Sequence, residues 1–147
     1  YIDIIKEIFP HAKVINCKRN AISSIMSTLK INLLNLSWAH NLEYIFKYYD
    51  IYNQMIKNFE KIYPNFIYDL QYEKFVSNPE NESKELMKFC GLPWNIKCLE
   101  FYKRRDLISK TASNTQFRKA IYKDSINKYL PYKKFLSKYG NKYSWFN

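Results

Sequence analysis

The hydrophobic period of this chain changes abruptly at Arg19-Asn20, and that change limits the folds open to it. Before it, Val14-Ile15-Asn16-Cys17 forms a short apolar run with β-branched residues between Lys13 and Lys18, the pattern of a buried parallel strand. After it, Ile22, Ile25, Met26 and Leu29 recur at helical spacing, and Asn20 is a good N-cap for that helix. The unit is strand, tight turn, helix. A junction of this kind brings backbone N–H groups and the positive helix end to the carboxyl edge of a sheet, where anions bind in open α/β folds.

A second strand is predicted at Phe66-Ile67-Tyr68-Asp69-Leu70-Gln71. Between the two, Leu42, Tyr44, Ile45, Tyr48, Tyr49, Ile51, Tyr52, Met55, Ile56 and Phe59 mark a long helix from about Leu42 to Tyr63, ended by Pro64-Asn65. A helical crossover makes the two strands parallel and the fold class α/β. The tyrosines could form a stacking platform for bases, but their spacing matches a stripe buried in the core. Residues 32–41, which carry Trp38 and His40, read as a loop that could cover a ligand.

The rest of the chain reads as short elements. An amphipathic helix with Ile2, Ile5 and Phe9 opens it. A short helix starts at Tyr72, a turn follows at Asn78-Pro79, and a helix from Glu80 to Cys90 closes with Gly91 at its C′ position. Another short helix near Ile96 to Tyr102 leads into a basic stretch from Lys103 to Lys123, and Ser125 to Tyr139 form the last helix. One domain over residues 1–147 is expected, since 47% hydrophobic content supports a core.

Several function classes are disfavoured. The net charge of +11 invites a polyanion, yet the lysines are scattered rather than gathered on one face, so a basic nucleic-acid-binding domain is an alternative only. Cys17, Cys90 and Cys98 lack the spacing of a metal site, and two histidines, His11 and His40, are too few for a zinc cluster or an easily built serine triad. No metal is therefore expected. The first residues lack the zones of a signal peptide and no run is apolar enough to span a bilayer, so a cytoplasmic location is expected. Opening without Met and within a helical pattern, the sequence reads as a truncated chain.

Arg19 and Ser27 are the first candidate binding residues. Arginine brings a planar fork of donors with a fixed charge, and a serine two turns along the helix adds a directional hydroxyl toward the same anion. On this pair alone, a solvated turn charge and a neutral helix serine are the plainer reading. In the later segment, Ser113, Thr115 and Gln116 offer neutral donors beside Arg118 and Lys119, which fits either a phosphate-closing loop or a solvated basic surface.

Three segments in order carry a family resemblance. Phe9 to Asn20 resembles the approach to the 3′-phosphate site of sulfotransferases that use PAPS (3′-phosphoadenylyl sulfate), with Arg19 and Ser27 at that site's spacing. Leu70 to Pro79 is similar to the family's Tyr-Glu segment after a strand, and Phe89-Cys90-Gly91-Leu92-Pro93-Trp94 resembles the end of its next helix. Lys110 to Tyr122 further resembles the late nucleotide-binding loop of bacterial tetratricopeptide-associated and protein-tyrosine sulfotransferases. The resemblance implies nucleotide-binding roles for Arg19, Ser27, Tyr72, Ser113, Arg118, Lys119 and Lys128. It also implies a P-loop-NTPase-like parallel sheet flanked by helices, of which this is the C-terminal part, and a tetratricopeptide region preceding it in a longer protein.

The implied activity is transfer of a sulfonate group from PAPS to a hydroxyl acceptor, protein tyrosine among the candidates, without a metal. The Gly-rich loop that holds the 5′-phosphosulfate in that family has no counterpart among these residues, whose two glycines are Gly91 and Gly140. No catalytic residue is assigned. The chain is expected to bind PAPS or adenosine 3′,5′-bisphosphate without transferring sulfonate by itself. The alternatives are a non-catalytic nucleotide-binding or protein-interaction module and the basic nucleic-acid-binding domain.

Overall fold

The structure is a computed structural model that describes residues 1–31, 33, 35–104 and 119–146. In chain order the elements are α1 (Ile2–Ile8), β1 (Val14–Lys18), α2 (Ala21–Lys30), α3 (Leu42–Ile62), β2 (Ile67–Gln71), α4 (Tyr72–Ser77), α5 (Pro79–Cys90) and α6 (Lys133–Gly140), with single 3₁₀ turns between several of them. β1 and β2 pair in a two-stranded parallel sheet, and the fold is mixed α/β, as the two apolar runs and the helical crossover predict. The described chain divides into two compact units. The first holds Tyr1–Val14, Arg19–Ile67 and Asn127–Asn147, and the second Ile15–Lys18 and Tyr68–Ile126.

The core of the first unit is built on α2 and α3. Ile22 and Ile25 of α2 pack with Ile45 and Phe46 of α3, and Leu136 and Phe146 complete the cluster. Phe46, Ile25 and Leu136 are fully buried. Phe46 is ringed by aromatic side chains from the end of the chain: Tyr139, Tyr143, Trp145 and Phe146 have centroids 5.6–6.1 Å from its own. Gly140 is also buried, and a Cβ there would lie 2.5 Å from carbons of the Phe146 ring, so the absence of a side chain is what admits that ring.

Two elements differ from what the sequence pattern predicts, α3 in its buried face and α6 in its start. The apolar stripe of α3 is only partly buried: Ile45, Phe46 and Ile56 face the core, while Tyr44, Tyr48, Ile51 and Met55 are exposed. The run of aromatic and aliphatic residues is wider than one core-facing stripe, so part of it turns outward. Tyr48, Ile51, Tyr52, Met55, Ile56 and Phe59 line a cleft of about 240 Å³ with Tyr1 and Ile2. Among the described residues no lysine or arginine lines that cleft, whereas a stacking groove for nucleic acid carries cations along the backbone track.

The last helix starts later than Ser125, at Lys133, after a 3₁₀ turn over Leu130–Tyr132. Asn127 has a φ of 61°, outside the right-handed helical region, and Pro131 cannot donate the N–H that a continuing helix requires. Residues 35–41 connect α2 to α3 without an α-helix or strand, as the loop reading expects. Ser37–His40 forms a 3₁₀ turn, and the Trp38 ring stacks on Tyr48 with centroids 4.1 Å apart.

In the second unit, Asp69 on β2 accepts a hydrogen bond from Asn16 Nδ2 at 2.7 Å and an ion pair from Lys18, which fixes the register of the two strands. α5 carries Pro at its first position and ends on Gly91 in the left-handed conformation, φ 70°, as a helix C-cap. Tyr68 packs on Phe89, and the Trp94 indole donates to Ser83 Oγ at 2.8 Å.

Candidate functional site

The β1–α2 junction places Arg19 between two residues already engaged. Lys18, the last residue of β1, is paired with Asp69. Asn20 caps α2: its side chain accepts the Ser23 N–H at 3.1 Å, and its carbonyl accepts from Ser24 N at 2.9 Å. This explains the sharp end of the strand and the immediate start of the helix. Asn20 has a ψ of 130°, outside the helical region, and its side chain compensates one of the open N–H groups of the first turn.

Arg19 itself is half-buried, and so is Ser27 on α2. The Arg19 carbonyl accepts a hydrogen bond from the Tyr49 hydroxyl of α3 at 3.3 Å. Sequence reasoning missed Tyr49 as part of this junction, since thirty residues of separation carry no periodic signal. Asp69, by its sequence no more than a strand residue, holds both Asn16 and Lys18.

The other candidates fall in one unit or the other, or outside the described residues. Lys128 lies in the first unit and shares an open cavity of about 330 Å³ with Met26, Leu29 and Lys30 of α2 and with Tyr129 and Tyr132. Lys30 is the last residue of α2, and a helix of this length puts it about 15 Å along the axis from Asn20. Tyr72 and Lys119 belong to the second unit; Tyr72 opens α4 half-buried and Lys119 is exposed. Ser113 and Arg118 lie outside the described residues, as does most of the late loop.

The residue types at the junction are ones whose side chains can donate to an anion. Arginine supplies charge and a donor fork, and Ser27 a hydroxyl. The Tyr68 hydroxyl has its pKa raised by burial, and further by the Glu82 and Glu85 carboxylates, so it remains a neutral phenol. Among the described residues, no group of three or more His, Cys, Asp or Glu is placed to hold a metal ion, and Cys17, Cys90 and Cys98 are free thiols. No described helix is long and apolar enough to cross a membrane.

Comparison with known proteins settles the family. The profile described as Sulfotransferase family matches residues 1–95, which include β1, the junction, α3 and β2. The chain belongs to the sulfotransferase family. A protein of Aquifex aeolicus, described as uncharacterized, is 35% identical over 141 residues, covering 93% of this chain and 18% of its own length. This sulfotransferase-family chain therefore spans under a fifth of that relative. Arg19, Ser27 and Tyr72 fall within the family match, whereas Ser113, Arg118, Lys119 and Lys128 fall beyond it.

Proposed function

We propose that the protein transfers a sulfonate group from PAPS to a hydroxyl acceptor, and that this chain grips the donor's 3′-phosphate. The observation that carries this reading is Arg19, half-buried at the strand-to-helix junction inside the family-matched region, with Ser27 further along the same helix. Arg19 binds a phosphate through its fork, and Ser27 contributes one further donor. Tyr72, Ser113, Arg118, Lys119 and Lys128 are further nucleotide-binding residues in this reading.

The reaction is in-line displacement at sulfur. The acceptor oxygen bonds to sulfur as the sulfur–oxygen bond to the nucleotide's 5′-phosphate breaks. The acceptor's proton passes to a base, and the departing phosphate carries the new negative charge. Protein tyrosine is one acceptor of this class. A tetratricopeptide region in a longer polypeptide would supply an acceptor-binding surface.

Within these 147 residues the role is binding rather than transfer. Of the two glycines, Gly91 caps α5 and Gly140 makes room for Phe146, so neither belongs to a loop cradling a phosphosulfate. Each preorganised donor missing at a developing charge costs about 2.7–4 kcal/mol of barrier stabilisation. A labelled-sulfate assay with PAPS and a tyrosine-bearing peptide tests this division of labour. The expected result is no turnover by these residues alone, and turnover when the same residues are part of the longer polypeptide. Turnover by the 147-residue chain would place the transfer centre inside it and overturn the division.

A further inference from the structure

The end of the chain reaches the Arg19 junction through two aromatic residues. Trp145 Nε1 donates a hydrogen bond to Asp50 Oδ1 at 2.8 Å, across ninety-five residues of sequence. The second Asp50 oxygen accepts from Gln54 Nε2 at 2.7 Å, so the carboxylate is held from both sides. The Trp145 ring lies 4.6 Å from the ring of Tyr49, the residue beside Asp50 on α3, and Tyr143 stacks on Trp145 at 5.1 Å. The Tyr49 hydroxyl in turn donates to the Arg19 carbonyl. All of these residues belong to the first unit.

We propose that Tyr49 and Trp145 are positioning residues for Arg19, so that the C-terminal aromatic segment sets the direction of the phosphate-binding fork. The Arg19 carbonyl lies in the peptide that joins Arg19 to the Asn20 cap, so a contact on that carbonyl limits displacement of the backbone from which the Arg19 side chain extends. At 3.3 Å the tyrosine contact is a long O–H···O bond, too weak to hold that peptide by itself. Ring packing by Trp145, anchored on Asp50, keeps the hydroxyl where it meets the carbonyl. An arginine fork binds a phosphate through paired donors, which makes its affinity sensitive to small rotations.

This inference rests on the proposed role of Arg19, and the test separates the two. Calorimetric titrations with adenosine 3′,5′-bisphosphate and with adenosine 5′-phosphate give the share of affinity that depends on the 3′-phosphate. A general loosening of the fold weakens both ligands, whereas a misdirected Arg19 weakens only the first. Tyr49→Phe keeps the ring and removes the hydroxyl, and Trp145→Phe keeps aromatic packing and removes the indole N–H. Each variant is expected to weaken the bisphosphate by roughly threefold to tenfold, the worth of one hydrogen bond, and to leave the 5′-phosphate unchanged. Should Trp145→Phe fail to fold, Tyr49→Phe alone decides. A wild-type preference for the bisphosphate that Arg19→Ala removes and Tyr49→Phe preserves would overturn the positioning role only. No wild-type preference would overturn the nucleotide reading and this inference together.

Discussion

Arg19 gains its setting from its neighbours. Lys18 is drawn to Asp69, Asn20 is spent on capping α2, and the Arg19 carbonyl meets the Tyr49 hydroxyl. The strand-to-helix junction at Arg19 was legible in the sequence because the period changes on either side of it, a local signal. Its partners were not, since Asp69 and Tyr49 come from other elements and nothing in their own windows points back to residue 19. The cap gives a prediction that does not depend on any ligand. Asn20→Ala removes the acceptor for Ser23 N and is expected to lower unfolding free energy by about 1 kcal/mol, whereas Asn20→Ser keeps a capping oxygen and costs less. Urea denaturation of the two variants side by side checks this; equal stabilities would mean the cap carries no weight here.

At the scale of elements, the strands and the crossover helix were readable because each rests on a local run: a short β-branched stretch, or apolar residues at helical spacing. α3 runs from Leu42 to Ile62, within a residue of the expected end, yet its buried face could not be read from composition, because aromatic and aliphatic residues occupy more than one side. The late start of α6 follows from Asn127 and Pro131, backbone effects that override an acceptable helical pattern. Gly140 shows a packing role invisible in sequence. A methyl group at this position has no room beside the Phe146 ring, so Gly140→Ala is expected to destabilise the protein by about 1–3 kcal/mol through overpacking. Thermal unfolding measures the loss, and tryptophan fluorescence reports whether Trp145 leaves its site on Asp50. Unchanged stability and fluorescence would show that the ring relocates at no cost.

For the whole molecule, the sequence carried the α/β class and the family, and the structure adds that the first unit joins three stretches far apart in the chain: the β1–α2 junction, α3 and the C-terminal aromatic segment. That union was illegible because the joining contacts, such as Trp145 to Asp50, are long-range and have no periodic signature. The match places the chain in the sulfotransferase family, and the nucleotide grip proposed for Arg19 is the point on which the functional account turns. It is tested most directly by the affinity of the protein for adenosine 3′,5′-bisphosphate relative to adenosine 5′-phosphate, measured by calorimetry for the wild type and Arg19→Ala. Hydrogen bonds to a charged group contribute about 1.5–3 kcal/mol each, so the wild type is expected to favour the bisphosphate by roughly tenfold or more, and Arg19→Ala to bind both nucleotides alike. Equal binding of the two nucleotides by the wild type, or a preference that survives Arg19→Ala, would contradict the account.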